Sequence, residues 1–214
     1  MKHSQNLYAQ LRSIKLTLLV IFLVTVVLLG VVFVVHFQTG VSIGKLTRDP
    51  ATALKGSAYI GFLSQIGIFF WAGASVVCLF TTYILANSSG NLQLEQFFFE
   101  SGLLSLLLGF DDVFLLHEIF SAYTGIPEKI IFAGYLGLLL LWLFQFYSII
   151  FRTEYLLFGI ALVFFGVSIF IDITKPNIQY MVLFEDGAKL VGILSWLAYF
   201  FRFGAFAISH HNAD

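Results

Sequence analysis

The sequence predicts an all-α integral membrane protein, a six-transmembrane-helix bundle, on three observations. Of its 214 residues 59% are hydrophobic and 11% charged, where a soluble domain carries about 25% charged residues. The mean hydropathy is +0.94, and the apolar runs reach about 20 residues, the length that crosses a bilayer as a helix. Gly, Pro and Asn breakers separate the runs. Transmembrane β-strands would instead show roughly 10-residue segments of alternating polarity, and these runs are continuous.

The whole chain, 1–214, reads as one polytopic membrane domain, with spans at approximately 14–37, 57–86, 97–122, 130–151, 155–173 and 181–208. The first contains 20 uncharged residues, 16–35. A secretory signal has an apolar region of about 7–15 residues and a small-residue cleavage site, so this segment is expected to be retained. The motifs QTG and RDP precede the second span, NSSGN follows it, TGIPEK follows the third and TKPN the fifth. The linker 38–56 has room for a short surface helix. Small residues at packing intervals, Gly61, Ser64 and Gly67, Gly102 and Gly109, Gly159 and Gly166, are expected to let helices approach closely.

Lys2, Arg12, Lys15, Arg152 and Arg202 fall on one side, and Lys45, Arg48, Lys55, Lys129 and Lys175 on the other. The positive-inside count is therefore even, and the first helix decides for both termini in the cytoplasm. A formal net charge of −1 points away from a nucleic-acid partner. The single Cys78 excludes an intrachain disulfide and a CxxC motif. The expected partner is the lipid bilayer, with a homo-oligomer or larger membrane complex around it.

The informative stretch is FDDVFLLHE, residues 110–118. Three spans bring ionisable residues to one half of the membrane: Asp111, Asp112, His117 and Glu118, then Asp172, then Glu185, Asp186 and Lys189. At 1.5 Å per residue, His117 and Glu118 lie roughly 6–8 Å below that face, Asp111 and Asp112 roughly 15 Å, Glu185 and Asp186 about 6–8 Å and Lys189 about 12 Å. A charge at mid-membrane costs about 2.5–3.5 kcal/mol on insertion scales, which favours a functional polar cavity over purely structural pairing. In one continuous helix Asp111 and Glu118 share a stripe and form the inward pair. Asp112 and His117 then point to either side, and Lys189 has the spacing to bridge Glu185 or Asp186 on its own helix.

The remaining polar and aromatic residues have plainer readings. His36 is expected at an interface, and His210 and His211 in a solvated tail. Gln65 and Gln145 are expected to bond between helices, and Trp71, Trp142 and Trp196 to pack. Glu100 falls on the Asp111 stripe nearer the opposite face.

Two chemistries fit the cluster. Carboxylates with one histidine suit a divalent metal (zinc, manganese or iron), with ligands drawn from Asp111, Asp112, His117, Glu118, Glu185 and Asp186. Asp111, Glu118 and Lys189 would then be the catalytic residues of a membrane enzyme acting on a lipid-like substrate. The paired last-span histidines of alkaline-ceramidase-like membrane hydrolases are missing. Alternatively, the same acids carry protons or cations, as intramembrane Asp, Glu and His chains do. The carboxylate four residues before Lys189 resembles the last span of microbial rhodopsins, but this chain has one span fewer. A non-enzymatic assembly subunit would use the acids only structurally.

Overall fold

The computed structural model describes residues 7–47, 50–57, 59–88, 91–174 and 181–211, and every regular element among them is helical. Two compact units divide the chain, Met1–Ile60 and Gly61–Asp214.

The first unit holds α1 (Leu7–Thr39), α2 (Ile43–Thr47) and α3 (Pro50–Ala53). α1 stops at Gly40, whose left-handed backbone (φ 71°) lets its N–H donate to the His36 carbonyl at 2.9 Å. The His36 ring reaches the Val41 carbonyl at 2.7 Å and ties down the same corner. The surface helix expected in the linker appears as two short pieces.

The second unit holds α4 (Phe62–Ser88), α5 (Leu92–Phe114), α6 (Leu116–Thr124), α7 (Glu128–Ile150), α8 (Tyr155–Thr174) and α9 (Met181–His211). Local chemistry sets their ends. Asn91 caps α5 by accepting the Leu94 N–H at 3.2 Å. Gly125, at φ 73°, closes α6. α4 begins five residues later than the expected second span, because Gly61 at φ 69° forms the preceding turn.

α5 lies antiparallel along α4, since Asp112 sits beside Gly67, Gly109 beside Trp71 and Gly102 beside Cys78 and Leu79. α9 runs parallel to α4 and antiparallel to α8, with Ile193 against Gly67, Thr81 against Gly204 and Phe165 against Gly192. Trp196 is fully buried at the centre. Its ring meets Trp71, Trp142, Phe158, Phe165 and Phe200 at centroid distances of 5.2–6.2 Å. Its indole N–H donates to Ser105 Oγ at 2.9 Å. The three tryptophans are thus packing groups, as expected.

Close helix approach depends on glycine, because lipid offers little hydrophobic drive and contact must come from van der Waals packing. A methyl at Gly192 would lie 2.6 Å from the Phe165 ring, and one at Gly102 2.9 Å from Leu79. Gly159 and Gly166, expected to pack, instead face open space.

Among the described residues four helices are long and apolar enough to cross a membrane: Phe62–Asn87, Glu128–Ile150, Tyr155–Thr174 and Met181–Ser209. They meet four of the six expected spans and make this a multi-pass helical membrane protein. α5 matches α7 in length at 23 residues but carries Glu95, Glu100, Asp111 and Asp112. α1 is 33 residues long and contains the uncharged run 16–35.

Candidate functional site

The expected third span, 97–122, is not one helix. α5 ends at Phe114, Leu115 turns left-handed (φ 50°, ψ 48°), and α6 starts at Leu116. A left-handed leucine costs roughly 1–2 kcal/mol, so the break must be held from elsewhere. Asp111 holds it. Its carbonyl accepts the Leu115 N–H at 2.8 Å. Its carboxylate Oδ1 accepts the His117 backbone N–H at 2.9 Å, in the first turn of α6. Leu115 has no side-chain oxygen with which to cap α6, so the acid one turn back does it, placing negative charge at the helix N-terminus.

The same carboxylate takes two more donors. Tyr135 of α7 donates its hydroxyl to Oδ1 at 2.9 Å, and His117 Nδ1 lies 2.8 Å from Oδ2. With Asp111 ionised, Nδ1 carries the proton and donates. The imidazole also packs on Phe132, with ring centroids 4.7 Å apart. No hydrogen bond to His117 Nε2 is found among the described residues. Asp111 is buried and fully satisfied. The break corrects the predicted Asp111–Glu118 inward pair: the helical phase is lost at Leu115, and Glu118 is exposed on α6.

Asp112 points from α5 to α9. Lys189 Nζ donates to its Oδ1, joining the two helices. This corrects the expected bridge within α9, where Glu185 and Asp186 had the spacing. The pair is asymmetric: the Asp112 side chain is 8% exposed and that of Lys189 42%. Asp112 Oδ2 is buried without a hydrogen-bond partner. Asp112 also lines a small, partly open cavity of about 40 Å³ with Ser64, Gly67, Asp186 and Lys189. Gly67 leaves this room, because a methyl there would stand 3.8 Å from Oδ2 and 3.2 Å from Ile193.

The six expected metal ligands are thus distributed. Asp111 and His117 form one pair, Asp112 and Asp186 border the cavity, Glu118 is exposed and Glu185 half-buried. Among the described residues no group of three or more His, Cys, Asp or Glu side chains is placed to hold one metal ion. Of the expected catalytic residues, Asp111 caps α6, Lys189 faces Asp112, and Glu118 stands apart from both.

Sequence reasoning missed Tyr135. A tyrosine inside an apolar run has a hydroxyl to satisfy, which is the signal that could have found it. It also missed the roles of Ser64 and Gly67 at the cavity, reading both as packing residues. Glu100 is a cross-link between helices: its Oε1 accepts from Gln96 at 2.8 Å and from Gln145 of α7 at 3.0 Å. Gln145 therefore bonds between helices, as expected. Near the other end of the bundle, Arg202 grips the loop residue Glu154 through two N–H groups at 2.5 Å, which holds that carboxyl below its ordinary range.

No curated protein and no solved structure matches the chain. One family does, over residues 18–203, which includes both acid pairs and reaches far into α9. On that extent of match, the chain belongs to the family described as Domain of unknown function (DUF8692).

Proposed function

We propose that this protein moves a small cation, the proton included, across the membrane at the Asp112–Lys189 pair, with α1 and α5 completing six spans. One observation carries the reading: a carboxylate and an ammonium on different helices pair beside a small cavity, and one carboxylate oxygen is left unpaired. Lys189 lies eight residues into α9, roughly 12 Å from its start. Intramembrane charges of this kind are expensive and commonly mark ion pathways.

The pair supplies a simple competition. An ion loading on Asp112 displaces the ammonium. Lys189 then has Asp186 and Glu185 three and four residues back on its own helix. Return of Lys189 to Asp112 expels the ion. Each state keeps the buried carboxylate neutralised, which it requires because an unpaired charge in low dielectric is costly.

The test is reconstitution in liposomes with entrapped pH- and sodium-sensitive dyes. An imposed gradient is expected to drive flux that Asp112→Asn and Lys189→Met abolish. No flux in the wild type, or equal flux in both variants, overturns the reading.

A second reading rests on the Asp111–His117 contact. Metal-ligating histidines commonly give their other nitrogen to a carboxylate, so in this reading His117 Nε2 would offer one ligand to a zinc, manganese or iron ion of a membrane enzyme. Elemental analysis of the detergent-purified protein beside His117→Ala tests it. Near-stoichiometric metal lost in the variant supports this reading, and metal-free folded protein removes it.

A further inference from the structure

We infer that the outer seam between α5 and α7, at Glu100 and Gln145, is an interface with a second copy of this chain, docked about a two-fold axis along the membrane normal. The inference goes beyond the transport reading and uses none of its residues.

The seam is closed on its inner side by aromatic packing. Phe97 of α5 is fully buried and meets Trp142 and Phe146 of α7 at centroid distances of 5.4 and 5.3 Å. On the outer side Glu100 Oε1 takes both amide donors, from Gln96 at 2.8 Å and from Gln145 at 3.0 Å. Other polar atoms of the cluster are left over. Among the described residues no group bonds to Glu100 Oε2, and neither glutamine amide oxygen accepts a hydrogen bond. Glu100 is half-buried, and both glutamines are exposed.

These groups lie at a depth where the surroundings are hydrocarbon. α7 is one of the helices long and apolar enough to cross a membrane, with 23 residues. It extends about 34 Å, against a hydrocarbon core of about 30 Å. Gln145 lies five residues before its last residue, Ile150, so the cluster sits roughly 5 Å inside the core. Ionisable residues there almost always face a bundle interior or a water-filled cavity and pair with another group. Glu100 Oε2 and the exposed amides need that pairing from outside the protomer.

A second copy supplies it with matching chemistry. A two-fold axis along the membrane normal keeps each group at its own depth and makes the contact self-complementary. With the axis at the seam, α5 of one protomer lies opposite α7 of its partner. Glu100 then faces the partner subunit's Gln145, a carboxylate oxygen opposite an amide, twice by symmetry. Each Gln145 amide has a second N–H to give, since its first is engaged by Glu100 of its own chain. The α7 surface allows the approach. Gly134 and Leu138 lie within about 20° of Gln145 around the helix, Leu138 is exposed, and a methyl added at Gly134 would meet no atom within 4 Å. Gly102 and Gly192 are filled by neighbours of the same chain, whereas Gly134 opens outward, and small residues let helices of separate subunits come close in lipid.

The experiment follows energy transfer between donor- and acceptor-tagged copies of the full chain in liposomes as lipid dilutes them, beside the mass of the detergent-purified protein from light scattering. The mass is expected to be twice the protomer's 24.0 kDa. Gln145→Leu removes one hydrogen bond on each side of the axis and is expected to bring half-dissociation at about tenfold less lipid. Gln145 also holds Glu100 within its own chain, so Leu138→Trp is the second variant. It leaves that cross-link intact, obstructs the approach beside Gly134, and is expected to give monomer with unchanged far-ultraviolet circular dichroism. Disulfide capture locates the contact: a Gln96→Cys copy mixed with a Ser148→Cys copy is expected to cross-link on oxidation, and a Phe170→Cys copy, on α8, to cross-link with neither. A monomer in detergent with no energy transfer in liposomes overturns the interface. So does a dimer that both Gln145→Leu and Leu138→Trp leave unchanged, or one captured equally through Phe170→Cys. A trimer or larger ring overturns the two-fold arrangement.

Discussion

Replacing Asp111 by alanine should open the bundle where α5 meets α6. The carboxylate accepts three donors, the His117 backbone N–H, His117 Nδ1 and the Tyr135 hydroxyl, at 2.8–2.9 Å. Hydrogen bonds to a charged group contribute about 1.5–3 kcal/mol each, and their removal leaves the partners unpaired. The strain of left-handed Leu115, roughly 1–2 kcal/mol, then stands without the cap that offsets it. These terms overlap, so we expect Asp111→Ala to destabilise by about 3–5 kcal/mol, near the top of the range for one substitution. Asp111→Asn keeps one acceptor oxygen for His117 N–H and Tyr135, and should lose about 1–2 kcal/mol. Leu115→Gly should gain about 0.5–1 kcal/mol, since glycine takes a positive φ without strain. Glu118→Gln, at an exposed position, should stay within about 0.5 kcal/mol. The assay is unfolding by sodium dodecyl sulfate titrated into mild-detergent micelles, followed by far-ultraviolet circular dichroism. If Asp111→Ala unfolds no more easily than Glu118→Gln, Asp111 does not hold the helix break and the reasoning fails.

Two other outcomes follow from the packing. Lys189→Met strands the Asp112 charge in the interior and should destabilise by about 3–5 kcal/mol, while adding Asp112→Asn should recover most of that loss, a coupling read by a double-mutant cycle in the same unfolding assay. Gly192→Ala drives a methyl into the Phe165 ring and should cost about 1–3 kcal/mol, whereas Gly166→Ala, facing open space, should lie within about 0.5 kcal/mol; equal melts for the two would remove the close-approach argument.

The sequence alone determined the class of molecule and the boundaries of α7, α8 and α9 to within a few residues. Hydropathy is a sum over neighbours in the chain, so runs such as those of α7, α8 and α9 are visible without knowing what they touch. It also singled out FDDVFLLHE and the group Glu185, Asp186 and Lys189, because ionisable residues inside apolar runs stand out by composition. It could not show the break at Leu115. Nothing in LLHE is a helix breaker, and the left-handed turn persists because the Asp111 side chain, assisted by Tyr135 from another helix, satisfies the exposed first turn of α6. That single turn moved Glu118 off the stripe and left His117 on Asp111. The partner of Lys189 was also a tertiary decision. Spacing along α9 offered Glu185 and Asp186, but packing of α5 and α9 against α4 presented Asp112. The glycines divide in the same way: spacing marked Gly159 and Gly166 as readily as Gly102, and only the neighbours across the bundle show which of them a helix needs. Periodicity reports which residues lie on one side of a helix, while the identity of the group opposite depends on how separate helices pack, and that is where this chain's acids acquire their roles.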